Sequence, residues 1–336
     1  MIVICDLKNE NSINKIENIF TINQIKFTYI KLRNKAIFVI NAVLSEQILE
    51  KITKISNKIK ILSLKRKYKL SNSALFNNKA IEFPNATIDK KHFSIIAGPC
   101  TIEDDGSLEK TAEFLNNKGV NFLRGGAYKP RTSPYEFQGL GKKGLDLIYT
   151  TARSNKMNVV TELMDIRDLD NILKYADIIQ IGARNMQNYP LLKELGKINK
   201  PILLKRGMSA SINELLLASD YILMGGNENV ILCERGIKTY ETKYRSTLDL
   251  TAVSVIKQES HLPIFVDPSH AAGDRNLVPD LSKASLAVGA DGLLVEVHSS
   301  PDCAICDGPQ SLTLKQFDKL YDELKTLAPF FGKNIN

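Results

Sequence analysis

The chain lacks any apolar stretch of about 18 residues, which argues against a membrane-spanning helix. Its first residues, MIVICDLKNE, carry neither a charged leader nor a small-residue cleavage site, so no secretory signal is read there. Cysteine is sparse and odd in number, five in 336 residues, which argues against a disulfide framework and for a reducing, cytoplasmic setting. Cys303 and Cys306 form a lone C-x-x-C with no second pair and no redox-type βαβ context, so chance accounts for that spacing. No block of Lys and Arg is interleaved with aromatics, and no nucleic-acid signature occurs, although the net charge is +8. The positive residues are mostly Lys, dispersed among Asn, Ile and Glu. Such a balance suits small acidic substrates, whose local concentration a positive field raises.

One stretch stands out from this dispersed background. Residues 123–141 read LRGGAYKPRTSPYEFQGLG. Arg124 ends a short apolar run, and Gly125 and Gly126 let the backbone turn closely around a ligand. Lys129 and Arg131 flank Pro130, which fixes φ and stiffens the loop. Thr132 and Ser133 add hydroxyl donors. Cations, hydroxyls and a rigid turn at this density suit a phosphate or carboxylate, because Arg offers a planar fork and Lys a point charge. Taken alone, the stretch also reads as a solvated basic loop.

Residues 1–68 alternate between strand and helix periods. IVICDL is strand-like, and SINKIENIFTIN places Ile13, Ile16, Ile19 and Phe20 at helical spacing. FTYIKL and AIFVINAV are strands joined by a turn at RNK. SEQILEKITKIS is helical with Ser45 as N-cap, and IKILSLK is a strand. The order βαββαβ predicts a ferredoxin-like domain. It has no His and no cluster of convergent acids, which leaves a regulatory module for a small effector or a packing and oligomerisation module. Residues 69–91 are polar and Asn-rich and read as a linker, with a short hairpin that covers one end of the next domain.

Residues 92–336 read as a (β/α)8 barrel. The strands are taken as FSIIAGP, NFLRGG, VVTELMD, IIQIGA, PILLKRG, YILMGG, PIFVDPSH and GLLVEVHS. About eight βα units in roughly 240 residues is the size of that fold. A doubly wound open sheet is disfavoured because no G-x-G-x-x-G follows any strand. Polar residues end nearly every strand: Cys100, Arg124, Glu162, Gly182 to Arg184, Lys205 with Arg206, His270 and Glu296. In a barrel these ends converge on one face.

Closing the barrel places the eighth strand beside the first. Cys100, His270, Glu296 and the loop residue Asp307 then come from adjacent strands. Thiolate, imidazole and carboxylates make a mixed site for one divalent ion of the Mn, Fe, Co or Zn class. Cys303 and Cys306 compete for the place of Asp307, and His298 is a neighbour of Glu296 on the same strand face. His92 and His261 lie outside the strand ends and read as structural. Arg124, Lys129, Arg131, Arg184, Lys205 and Arg235 would repel one another in one cavity without anions, so two phosphorylated substrates are expected there.

IAGPCTIED, LRGGAYKPRTSPYEFQGLG, IQIGARNMQN, LLKRGMSAS, ILCERGIKTYE, VDPSHAAGDR and LVEVHSSPDCAICDGPQSL together give the chain a family likeness. It resembles the 3-deoxy-D-arabino-heptulosonate 7-phosphate (DAHP) synthases, and most of all the shorter microbial type with an N-terminal ferredoxin-like domain. The resemblance implies condensation of phosphoenolpyruvate with erythrose 4-phosphate, the first step of the shikimate pathway. It implies Cys100, His270, Glu296 and Asp307 as metal ligands, with Asp307 also near substrate. It implies Arg124, Lys129, Glu162, Gly182, Ala183, Arg184, Lys205 and Arg235 around phosphoenolpyruvate, and Arg131, Thr132 and Ser133 on the aldose phosphate. Lys129, Glu162 and His270 are the expected catalytic groups. Cys306 stands where the family commonly has Ser. The sister enzyme that uses arabinose 5-phosphate typically reads KANRSS where this chain reads KPRTS, which favours the four-carbon aldose. A barrel that binds these ligands without turnover is the alternative of another class. For the N-terminal module the resemblance implies inhibition by tyrosine or phenylalanine, and for the assembly a homotetramer.

Overall fold

The structure is a computed structural model that describes residues 1–335; Asn336, the last residue of the expected barrel span, lies outside the described residues. The N-terminal elements run β1 (Ile2–Asp6), α1 (Glu10–Ile22), β2 (Phe27–Leu32), β3 (Lys35–Ile40), α2 (Glu46–Ile55) and β4 (Lys60–Leu62). They form a four-stranded sheet in the order β2-β3-β1-β4, with every neighbouring pair antiparallel. Strand alternation splits the apolar residues between two faces. Val3, Cys5, Ala36, Phe38 and Ile40 pack with Ile13, Ile16 and Phe20 of α1 and Ile52 of α2. Ile2, Ile4, Ile30 and Ile37 turn the other way, into one cluster with Tyr68, Leu70 and the outer packing of the second unit.

α1 starts where the Asn9 side chain accepts the Ser12 N–H. Ser45 does stand before α2, but its side chain makes no capping hydrogen bond. The turn expected at RNK is made by Arg33 and Asn34, both at positive φ (49° and 56°), which matches the twist of a tight hairpin. Its tip is anchored outside its own sheet. The Arg33 backbone N–H donates to Glu228 Oε1 at 2.7 Å, and its guanidinium lies 4.7 Å from the centre of the Phe76 ring. The following segment is pinned by half-buried Asp220, which accepts the backbone N–H groups of Lys69, Leu70 and Ser71.

Next comes a hairpin, β5 (Ile81–Phe83) and β6 (Ala86–Ile88), and then alternating strands and helices. The order is β7 (His92–Gly98), α3 (Asp105–Asn117), β8 (Phe122–Arg124), α4 (Lys142–Ser154), β9 (Asn158–Glu162), α5 (Leu169–Tyr175), β10 (Ile178–Ile181) and α6 (Tyr189–Leu195). It continues through β11 (Ile202–Lys205), α7 (Ile212–Met224), β12 (Val230–Glu234), α8 (Leu250–Glu259), β13 (Ile264–Val266), α9 (Pro268–Ala272), α10 (Val278–Ala287), β14 (Gly292–Glu296), α11 (Leu314–Leu327) and β15 (Asn334–Ile335). Strands β7 to β14 pair in sequence order, all parallel, and β14 pairs with β7 to close an eight-stranded barrel. At that seam Gly292 has no room for a side chain: a Cβ would lie 2.3 Å from Ser94 O and 2.5 Å from the Phe265 ring.

Ile96, Phe122, Val160, Ile178, Leu203, Ile231, Phe265 and Leu294 fill the barrel interior. Ile81 and Ile88 of the hairpin join them. Phe83 meets Phe122 edge-on at 5.0 Å, and Asn85 Oδ1 accepts from Asn158 Nδ2 at 2.6 Å. Because Phe122 and Asn158 begin their strands, this hairpin plugs the N-terminal end of the barrel.

One expected strand is corrected. YILMGG is not the sixth strand; its apolar residues are the last turn of α7 and Gly225 follows as its C-cap. The helix is set off by a capping box between Ser211 and Glu214, and its buried face runs through Leu215, Leu216, Ser219, Ile222 and Leu223. The sixth strand is VILCE, whose five residues are all buried. Among the described residues no helix is long and apolar enough to cross a membrane.

Candidate active site at the mouth of the barrel

The barrel delivers its chemistry at the C-terminal strand ends. Arg124, Glu162, Lys205 and Glu296 are the last residues of β8, β9, β11 and β14, and Cys100, Gly182 and Arg235 follow β7, β10 and β12 closely. Gly98, at φ 149°, allows the tight approach of β7 and β8, since a Cβ there would lie 2.1 Å from Arg124 O.

Cys100, His270, Glu296 and Asp307 each offer a donor atom, and these atoms all lie within 4.8 Å of one another. Cys100 Sγ is 3.2 Å from Asp307 Oδ2, and His270 Nε2 is 3.4 Å from Glu296 Oε1. Asp307 reaches the group from a loop residue at φ 53°, a left-handed conformation for a non-glycine residue. The contact of Cys100 with Cys306, together with burial, holds the Cys100 thiol well above its ordinary range. A bound cation reverses that preference and stabilises the thiolate. Burial raises the Glu296 carboxyl, yet the charges of His270 and Arg124 outweigh it and hold the group below its ordinary value. One sulfur, one imidazole and two carboxylates fit a borderline divalent ion better than magnesium.

Beside this group lies a cavity of about 240 Å³. Seven cationic side chains line it (Arg124, Lys129, Arg131, Arg184, Lys205, Arg235 and Arg245) against three carboxylates (Glu136, Glu162 and Asp307). Arg124 Nη1 donates to Glu296 Oε1 at 2.8 Å and to Pro99 O at 3.0 Å. Lys129 Nζ donates to Cys100 Sγ at 3.0 Å. Burial works against the Lys129 charge, but the nearby Cys100 sulfur helps to raise its pKa above the ordinary value. Arg235 Nη2 donates to His270 O at 3.0 Å, and Arg131 donates to Glu136 Oε2 at 2.6 Å and to Cys306 Sγ at 2.7 Å. Glu162 Oε2 accepts from Gln180 Nε2 at 3.0 Å. Gly182 makes room for that carboxylate, since a Cβ at 182 would lie 2.1 Å from Glu162 Oε1. Ala183 and Thr132 also face the cavity.

Some expected residues stand apart. Ser133 does not line the cavity; its hydroxyl accepts the Tyr135 N–H at 3.3 Å. His298 turns to Ser107 Oγ at 3.2 Å and to Glu103 rather than to the donor group. His92 pairs with Asp89, and His261 meets Leu70 O and Arg33. Cys303 is exposed, whereas Cys306 is buried 3.7 Å from Cys100 Sγ. Sequence reasoning missed Asp267, Gln310 and Arg245. Gln310 Nε2 donates to Glu296 Oε2 at 2.6 Å, and Gln310 Oε1 accepts from Arg245 at 2.7 Å. Only Asp267 had a signal, its place three residues before His270 at the start of a short helix.

The DAHP synthetase I family model matches residues 77–329. A phospho-2-dehydro-3-deoxyheptonate aldolase from Thermotoga maritima is 53% identical over 256 residues, which is 76% of each chain. A crystal structure of phospho-2-dehydro-3-deoxyheptonate aldolase (DAHP synthase) from Thermotoga maritima superposes with a TM-score of 0.81 at 43% identity, covering 100% of this chain and 99% of that one. A 2-dehydro-3-deoxyphosphooctonate aldolase from Desulfosudis oleivorans is 29% identical over 248 residues, 68% of this chain and 88% of that one.

The donor group makes a direct prediction. Cobalt(II) added to chelator-stripped protein is expected to give a near-ultraviolet thiolate-to-metal absorption band. Cys100→Ser should abolish the band and weaken cobalt binding by about tenfold or more, while Cys306→Ser should keep it. A band lost only in Cys306→Ser would give the ligand role to the other sulfur.

Proposed function

Because the chain belongs to the DAHP synthetase I family, we propose that its barrel mouth condenses phosphoenolpyruvate with D-erythrose 4-phosphate and water, giving DAHP and phosphate. This is 3-deoxy-7-phosphoheptulonate synthase activity, the first step of the shikimate pathway to aromatic amino acids. The observation that carries it is the cation-lined cavity set directly against the four-donor group. Two phosphorylated substrates supply the anions that such a lining needs.

Cys100, His270, Glu296 and Asp307 would hold one divalent ion of the Mn, Fe, Co or Zn class, whose contribution is Lewis-acid polarisation of the aldehyde carbonyl. Arg124, Arg184, Lys205 and Arg235, with the backbone at Gly182 and Ala183, hold the phosphate and carboxylate of phosphoenolpyruvate. Arg131 and Thr132, which line the cavity, take the aldose phosphate. C3 of phosphoenolpyruvate bonds to the aldehyde carbon, leaving C2 with oxocarbenium character. Water adds to C2, and the hemiketal phosphate then expels phosphate. Lys129 lies on the cavity wall where it can give a proton to the developing alkoxide or position the aldehyde. Glu162, held by Gln180, orients the water. The KPRTS loop and the higher identity to the heptulosonate enzyme than to the octulosonate enzyme both support the four-carbon aldose.

Residues 1–68 are proposed as a ferredoxin-like regulatory domain, 69–91 as its linker and 92 onward as the catalytic barrel. The effector proposed is tyrosine or phenylalanine, the assembly a homotetramer and the compartment the reducing cytoplasm. The sheet order described above supports the ferredoxin-like assignment, and the five unpaired cysteines support the reducing compartment.

Phosphate release from phosphoenolpyruvate should occur with erythrose 4-phosphate, fail with arabinose 5-phosphate and stop with chelator. Release with arabinose 5-phosphate would overturn the KPRTS assignment, and no release with either sugar in metal-replete protein would leave a ligand-binding barrel without turnover. Lys129→Met and Glu162→Gln should each lower turnover about 100-fold or more if these groups move or orient protons; normal turnover in either variant removes that role. Deleting residues 1–70 should preserve catalysis and abolish inhibition by tyrosine or phenylalanine, and undiminished inhibition of the shortened chain would exclude the N-terminal site.

A further inference from the structure

One carboxylate lies between the two halves of the site. Asp267 follows β13, is 0% exposed, and caps α9 by accepting the His270 backbone N–H on Oδ1 at 2.9 Å. Its own backbone N–H donates to Glu234 O at 2.8 Å, so the residue is fixed at both ends. Oδ2 has two neighbours. Lys205 Nζ donates to it at 2.5 Å, and His270 Nδ1 lies 2.7 Å away, though off a good hydrogen-bond line. The same imidazole presents Nε2 to the four-donor group, and the same lysine lines the anion cavity.

We infer that Asp267 is a positioning residue through which occupation of the four-donor site and binding of phosphoenolpyruvate at Lys205 tighten one another. This rests on the ligand assignments proposed above. An anion that engages Lys205 leaves more of the Asp267 charge to the imidazole and makes Nε2 a stronger donor. A cation on Nε2 draws the carboxylate toward His270 and loosens its hold on Lys205. Linkage requires the two effects to be equal in equilibrium terms. A buried aspartate with one partner would only orient that partner; sharing a single oxygen between Lys205 and His270 makes each ligand sensitive to the other.

The test is cobalt(II) titration of the chelator-stripped full chain, followed by its thiolate absorption, with and without saturating phosphoenolpyruvate. In the native sequence phosphoenolpyruvate should tighten cobalt binding about fivefold or more. In Asp267→Asn, cobalt affinity without phosphoenolpyruvate should fall about 10- to 100-fold, and the effect of phosphoenolpyruvate should shrink below about twofold. Lys205→Met keeps the Asp267–His270 contact and covers the case in which Asp267→Asn does not fold. With the Lys205 cation gone the Asp267 charge falls to the imidazole alone, so this variant should bind cobalt without phosphoenolpyruvate about fivefold or more tighter than the native chain does, and should show no further tightening at phosphoenolpyruvate concentrations that saturate it. Persistent tightening in either folded variant would mean that the ligands act through their direct field, and would overturn the inference. Failure of the native chain to bind cobalt would instead overturn the metal assignment itself, a distinct outcome.

Discussion

The pairing of β14 with β7 is the constraint on which the rest of the structure depends. Its register sets Glu296 opposite Gly98, two residues before Cys100. These two donors are almost 200 positions apart in the chain and meet only when the sheet closes on itself. The seam tolerates no side chain at residue 292, so closure and the donor group are specified by the same tight approach. His270 and Asp307 come from the connections before and after β14, and their places follow from that register.

Closure also concentrates charge. Arg124 and Glu296 form an ion pair with both side chains nearly inaccessible. Taking two charges out of water costs several kcal/mol per ion before their attraction is counted. Such a pair is therefore weak evidence for stability and better evidence of a site that must hold anions and cations in fixed places. Arg124, Lys129 and Lys205 are each drawn toward a sulfur or carboxylate on the donor side of the mouth. They are thereby preorganised toward ligands of the opposite sign, with little rearrangement left to make.

Much of this was legible in the sequence, and the failures have physical causes. Strand-end polar residues were visible because a parallel barrel strand is a short apolar run and its chemistry begins where the run stops. YILMGG misled because an apolar run of that length is ambiguous between a buried strand and a helix end. The decisive signals were the Ser211 and Glu214 capping box upstream and VILCE downstream. Asp267 and Gln310 were passed over because they act on other side chains, and contacts of that kind have no spacing rule. His298 shares the alternation of Glu296, but β14 ends at Glu296 and the chain turns toward Ser107. The N-terminal strand and helix order followed from period alone, whereas its anchoring by Arg33 and Asp220 is a tertiary fact that no local pattern encodes.

The hairpin that carries Ile81 and Ile88 gives the barrel a floor. A closed floor makes the molecule a vessel with one doorway. Lys205 and Arg235 lie deep in it and are almost inaccessible, whereas Thr132 sits exposed at the rim. Whatever occupies the depth must pass the rim first on the way in and last on the way out. Arrival and departure therefore run in opposite orders, as for passengers filling a narrow carriage from the far end.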